Sequence, residues 1–202
     1  MKIKIISILI FFSLSISAQD LYVVLHYSIG VPTSNTNKFI DKTSFAGLGI
    51  DIRKLIQPDF SVGFFAGWSG FSEEINRQNL QPSEKPIVEE KLMNIIPVFA
   101  TAHYYFTGNE DFIPFVGLGI GAINFFQSFN DGVSSTESNK WHFGTAPELG
   151  FVYLLGKIYG YMNIKYYYGL PAKNEISNQS LSQSYLGINV GIAFVPLSSF
   201  LY

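Results

Sequence analysis

Tyr185-Leu186-Gly187-Ile188-Asn189-Val190-Gly191-Ile192-Ala193-Phe194 alternates without a break between large apolar residues and small or polar ones. Successive side chains of a strand point to opposite faces, so a period of two specifies a strand between two unlike environments. Leu186, Ile188, Val190, Ile192 and Phe194 make one face; Tyr185, Gly187, Asn189, Gly191 and Ala193 make the other.

The same pattern recurs towards the N-terminus. Met162, Ile164, Tyr166 and Tyr168 oppose Asn163, Lys165, Tyr167 and Gly169; Leu149, Phe151 and Tyr153 oppose Glu148, Gly150 and Val152. Val116, Leu118, Ile120 and Ala122 face away from Gly117, Gly119 and Gly121, and Val98, Ala100, Ala102 and Tyr104 from Phe99, Thr101, His103 and Tyr105. Val62, Phe64, Ala66 and Trp68 stand against Ser61, Gly63, Phe65 and Gly67. Ala46, Leu48, Ile50 and Ile52 alternate with Gly47, Gly49, Asp51 and Arg53, and Val23, Leu25, Tyr27 and Ile29 with Val24, His26, Ser28 and Gly30. Eight strands result. Pro97 and Pro147 each forfeit a ladder donor, which predicts bulges or strand starts there.

The connections alternate too. Segments 31–43, 72–88, 127–141 and 170–183 are long and polar, whereas 56–59, 107–111 and 155–158 are short. Transmembrane barrels have long extracellular loops and tight periplasmic turns, and an even strand count leaves both termini on the periplasmic side.

Alternation does not itself say which face is inside, since a soluble lipocalin-like barrel buries its apolar face. Composition decides. The polar face is mostly Gly, Ser, Thr and Asn, with isolated charges at Asp51, Arg53, Glu148 and Lys165. Water would call for many more Lys and Glu, whereas a narrow lumen suits small residues and lets those four charges pair; unpaired burial is costly. Aromatic residues cluster at the strand ends, at Tyr104, Tyr105 and Phe106, at Phe112, Tyr153, Tyr159 and Tyr161, and at Phe194, as in interfacial girdles. Only a closed sheet leaves no backbone polar group unpaired in hydrocarbon.

Composition agrees. Aromatics make up 16% of the chain and charges 14%, against a usual charged share of about 25%. Residues 1–19 have Lys2 and Lys4, an apolar run from Ile5 to Leu14, then Ser15, Ser17 and Ala18. That is the plan of a cleaved secretory signal, with a run shorter than the ~20 residues of a membrane-spanning helix. Residues 20–202 are then the barrel domain. Without residues 1–19 the chain's 13 basic and 15 acidic residues become 11 and 15, a net −4, so no nucleic-acid partner is expected. There is no cysteine, which excludes a thioether lipid anchor, disulfides and thiolate metal sites.

Several phrases resemble the small outer-membrane β-barrel proteins, the OmpX-like and OmpA-transmembrane-domain-like group and its Bacteroidetes versions. They are Ile96-Pro97 leading to His103-Tyr104-Tyr105-Phe106, Phe112-Ile113-Pro114-Phe115-Val116-Gly117-Leu118-Gly119, Pro147-Glu148-Leu149-Gly150, and Tyr185 to Gly191. The resemblance covers residues 20–202. It implies an eight-stranded antiparallel up-and-down transmembrane barrel in the bacterial outer membrane, surrounded by outer-membrane lipid and delivered by periplasmic chaperones and the barrel-assembly machinery. Such chains often end on an aromatic residue that resembles the assembly signal. Here the last strand stops near Val195-Pro196, leaving Phe194 and Tyr202 as alternatives.

Chemistry is sparse. His26, His103 and His142 share no metal-ligand spacing such as H-x-x-x-H, and read as interior polar residues with local partners. His26-Tyr27-Ser28 puts a His and a Ser on one strand face and looks like the His-x-Ser of outer-membrane lipid A deacylases. In that family the pair lies on a late strand facing lipid, whereas here it lies on the first strand facing inward. Glu73-Glu74 and Glu89-Glu90, with Glu84, Lys85 and Lys91 nearby, read as solvated loop charge, without the Asp-x-Asp-x-Gly spacing of a Ca²⁺ loop. Gly117, Gly119 and Gly121 lie within a strand and read as crowding inside a barrel. No catalytic, metal or cofactor site is expected.

The reading is a non-enzymatic barrel with a side-chain-filled interior, its loops serving surface contact or envelope integrity with a partner the residues do not name. Eight strands leave no open channel, and a general porin needs about 16. Two alternatives stand beside it: a barrel binding or passing a small apolar ligand through a gap at Pro97 or Pro147, and a lipid-modifying enzyme using His26 and Ser28.

Overall fold

A computed structural model describes residues 21–77, 87–107, 111–130, 134–156, 158–173 and 180–194. The expected signal segment and residues 195–202, with Tyr202, lie outside them. The strands are β1 (Leu21–Thr33), β2 (Ala46–Gln57), β3 (Phe60–Arg77), β4 (Ile87–Tyr105), β5 (Phe112–Asn130), β6 (Ser135–Leu155), β7 (Ile158–Lys173) and β8 (Ser180–Phe194), with one short helix, α1 (Ser34–Phe39), between β1 and β2. Each strand pairs with the next in sequence, all antiparallel, and β8 returns to β1 from Val23↔Phe194 to Thr33↔Ser184, closing the barrel.

The faces are arranged as the composition requires. Leu48, Phe64, Leu118, Leu149 and Val190 stand exposed on the outside, while Asp51, Arg53, Glu148 and Lys165 are buried within. In water this surface would be a contiguous apolar patch far beyond what soluble proteins show. On β6 the outward residues from Trp141 to Tyr153 include no charge. Twelve residues at about 3.3 Å each, tilted by about 40°, rise roughly 30 Å, comparable with the ~25 Å apolar band of an outer-membrane barrel.

The lumen is filled in three layers. Tyr22, Tyr105, Phe115 and Tyr161 belong to an apolar cluster at the end of the short turns. Phe65, Phe71, Phe99, Tyr167 and Tyr185 belong to another on the loop side. The charged residues lie between. Glycine makes room for such bulk: a Cβ on Gly117 would overlap the His103 ring and sit 2.9 Å from Glu148 Cγ. Gly156, in the tight turn after β6, has φ +72° and is open around its Cα, where a side chain would be strained.

The structure corrects four expectations. Tyr105 and Tyr161 do not join a girdle; both are buried in the lumen. The interior is not only small and polar, because aromatic rings fill the space that glycines on facing strands vacate. Pro97 and Pro147 cause neither bulges nor strand starts. The β3–β4 register is the same on both sides of the gap between Ala66↔Val98 and Ser69↔Ile95, and the β6–β7 register the same on both sides of Thr145↔Tyr168 and Glu148↔Lys165. Each proline simply directs its missing donor to one neighbour. Finally, much of segments 72–88 and 127–141 is strand, since the ladder continues above the apolar belt where both faces are wet and alternation no longer marks it.

α1 folds inward from segment 31–43. Thr36 is buried, donates Oγ1–H to Gln183 Oε1 at 2.7 Å, and accepts the Ser184 N–H at 2.9 Å. Ile40, just after the helix, is inserted into the loop-side apolar cluster.

Candidate functional site

The middle layer of the lumen concentrates the chain's buried charge. β2 supplies Asp51 and Arg53, which share a face because they are two residues apart. Arg53 Nη2 donates to Asp51 Oδ2 at 2.9 Å and to the Tyr161 hydroxyl at 3.0 Å, and Nη1 to the Tyr105 hydroxyl at 3.2 Å. The guanidinium carbon lies 5.1 Å from the Phe115 ring centre and 5.4 Å from that of Tyr161, so aromatic faces also offset its desolvation.

Glu148 on β6 is the hub. His103 Nε2 lies 2.6 Å from its Oε1, Lys165 Nζ 3.4 Å from Oε1, and Arg53 Nη2 4.0 Å from Oε2. Asn163 donates its side-chain N–H to Oε2, and the Tyr161 hydroxyl approaches the same oxygen at 3.4 Å. Lys165 Nζ also lies 3.7 Å from Asp51 Oδ2 and 3.8 Å from the centre of the Phe65 ring. Two cations and two carboxylates thus neutralise one another in a space shared by β2, β4, β6 and β7. The pairing expected of the four interior charges is present.

Asp51, His103 and Glu148 each offer a ligand atom within 4.8 Å of the others, the geometry of a three-ligand metal site. The donor set does not fit a cation. Both carboxylates are already compensated by Arg53 and Lys165, so a divalent ion would add uncompensated positive charge to a buried layer.

The other residues singled out in the sequence are scattered. His26 faces the lumen, stacked on Phe65 with ring centres 5.8 Å apart, and neither ring nitrogen is hydrogen-bonded. Ser28 is buried on the same face, and the pair lacks the hydrogen bond a His-activated Ser needs. His142, higher on β6, has Nδ1 2.8 Å from the Leu170 carbonyl. Sequence reasoning missed Tyr105, Tyr161 and Asn163 as parts of the charged layer, and Asn189, whose side-chain N–H donates to Asn163 Oδ1 at 2.6 Å. Their inward phase was the available signal.

Above the belt, β3 to β6 rise as a four-stranded sheet. β3 pairs with β4 up to Arg77↔Ile87, and β5 with β6 up to Asn130↔Ser135, whereas β2 joins β3 only from Ala46↔Gly70 downward and β7 joins β6 only from Gly144↔Gly169. Among the described residues, Ser135 to Phe143 of β6 pair with β5 alone. Segment 40–44 lies along the other side: the Asp41 N–H reaches Glu73 Oε2 at 3.5 Å, and the Ser44 hydroxyl donates to the Gly70 carbonyl.

No family model and no curated protein matches the chain. Solved structures do. Neisserial surface protein A (NspA) superposes with a TM-score of 0.55 at 16% identity, over 87% of this chain and 96% of that one. The outer membrane protein OprG from Pseudomonas aeruginosa gives 0.51 at 16% identity, over 87% and 96%. The chain therefore has the fold of the small outer-membrane barrels, in agreement with the resemblance carried by its sequence phrases.

Proposed function

We propose that this chain is an integral, non-enzymatic barrel of the bacterial outer membrane whose projecting β3–β6 sheet and loops make contacts at the cell surface or brace the envelope. The observation that carries the reading is the inversion of the faces: an uncharged apolar exterior wraps a lumen packed with paired charges and rings. Outer-membrane lipid covers the belt, and periplasmic chaperones and the barrel-assembly machinery deliver the chain. A lumen filled in three layers does not conduct bulk solute. The projecting sheet is what remains to meet a partner, since strands of 18 to 21 residues far exceed the ~9–11 that cross a bilayer.

The apolar-ligand alternative drew on Pro97 and Pro147 as gaps in the wall; the pairing skips two residue pairs beside each, and the register resumes unchanged beyond them, so any opening there is small. Fractionation of expressing cells tests the main reading, followed by gel mobility with and without boiling. Heat-dependent migration of outer-membrane material is expected. Recovery as a soluble periplasmic protein would overturn the proposal.

A further inference from the structure

The outer wall is not uniformly convex. Across β8, β1, β2 and β3 a groove of about 700 Å³ runs over Ala66, Ile50, Leu25 and Ile192. The ladders place it diagonally. Trp68 on β3 is in register with Leu48, then Tyr27, then Val190, while Phe194 lies four residues further along β8. The groove thus descends from the upper aromatic level at Trp68 to the periplasmic level at Phe194.

Its origin is local. Outward positions on β3 read Phe64, Ala66, Trp68, so a methyl group sits between two large rings that stand exposed to either side. Behind it, Gly67, Gly49, His26 and Gly191 form one rung across the four strands. The wall there is little more than backbone, with the His26 ring laid against Gly49 on the inner side.

We propose that this groove is a fixed binding site for one acyl chain of a bilayer lipid, an inference that rests on the membrane placement proposed above. The groove is continuous with the apolar belt, and its outward polar side chains are committed elsewhere: Trp68 Nε1–H donates to Asn94 Oδ1 at 3.2 Å, and the Tyr27 hydroxyl donates to the Phe45 carbonyl. A peptide would bury amides with no partner there. Two barrels side by side touch along a narrow strip, whereas the groove crosses four strands. A flexible hydrocarbon chain can follow the whole groove, gaining dispersion contacts with Trp68, Ile50, Leu25 and Ile192 along it.

The chain's two tryptophans, Trp68 and Trp141, are natural reporters, one at the groove and one on β6. Trp141→Phe and Trp68→Phe proteins would be reconstituted in phosphatidylcholine vesicles containing increasing fractions of lipid brominated along its acyl chains, and the quenching of the remaining tryptophan followed. Half-quenching of Trp68 is expected at a brominated fraction about twofold or more below that for Trp141. Ala66→Phe, which fills the groove on a lipid-facing position, is expected to remove that difference; Leu48→Ala, which widens it, is expected to keep it. Equal quenching of the two reporters in the otherwise native chain overturns the groove while leaving the membrane placement intact. Quenching of neither overturns both. Trp68 becoming less accessible than Trp141 as protein is concentrated in the bilayer assigns the groove to a second copy and overturns the lipid.

Discussion

The charged layer in the lumen and the sheet above the apolar belt both contain Lys or Arg facing carboxylates, but the pairs do different work. Arg53 and Asp51 meet at 2.9 Å with no solvent exposure, among rings that can neither hydrate them nor move away. Lys91 and Glu73 lie 3.9 Å apart on the projecting sheet, their side chains 21% and 10% exposed, so that water reaches the lysine more than the carboxylate. Water screens and replaces the second pair, so its net worth falls within the 0–1 kcal/mol typical of surface pairs. The first pair is worth little relative to an apolar substitute, yet breaking it is severe, because the surviving charge stays buried. The lesson is that interior charges constrain which residues can face one another in the lumen, while a charge on the sheet above can be removed at little cost.

The largest test of that contrast is Glu148→Ala. It leaves Asp51 alone against both Arg53 and Lys165 and takes the carboxylate partner from His103 and Asn163, and a loss of about 3–5 kcal/mol is expected in urea unfolding of the folded barrel in detergent or lipid. An effect below about 1 kcal/mol would mean that water reaches the layer and that the two regions are alike. Ile40→Ala is the next largest. It empties the plug position beneath α1, and a loss of about 2 kcal/mol is expected, at the low end of Ile→Ala changes because the mouth can partly collapse. Thr36→Ala removes the hydroxyl that bonds Gln183 and the Ser184 amide, with an expected loss of about 1 kcal/mol and faster hydrogen exchange at Ser184. Lys91→Ala is the smallest, at about 0.5 kcal/mol or less, and that difference should shrink further in 1 M salt. A salt-insensitive loss comparable to that of Glu148→Ala would collapse the distinction from the other side.

Much of the fold was legible because a bilayer reads sequence simply. From Tyr185 to Phe194, as in most strands, every second residue must be apolar where lipid touches it, and the inward partner is free to be Gly, Asn or Tyr. The pairing of Asp51, Arg53, Glu148 and Lys165 was legible too, as the only outcome compatible with burying four charges. What alternation does not encode is height. Tyr104 and Tyr105 are neighbours in sequence, yet one faces lipid and the other accepts a hydrogen bond from Arg53; only consistent phase separates them. Nor does alternation extend above the belt. Residues 72–77 and 135–140 look like polar loop because both their faces meet water, and they form ladder nonetheless. The plug by Ile40 had no local signal: its partners Phe71, Met93, Phe125 and Tyr185 come from four different strands.

Chemical sites were less legible because little chemistry is concentrated. His26 and Ser28 share a face, as their spacing implied, but without a hydrogen bond between them. Asp51, His103 and Glu148 converge from β2, β4 and β6, a juxtaposition no linear spacing reveals, and their cationic neighbours settle what they do.

The four interior charges are also divided in a way that bears on how such a chain enters a membrane. Asp51 and Arg53 lie on one strand and neutralise each other there. Glu148 and Lys165 are direct register partners across the β6–β7 hairpin. Each of these pairs is electrically neutral before the barrel has closed, so none of the four has to enter hydrocarbon as a bare ion awaiting its partner from the far side. The final closure of β8 on β1, neither of which bears any of the four, then brings two already neutral halves together. A chain that inserted hairpin by hairpin would thereby be spared the steepest electrostatic barrier the finished lumen would otherwise impose.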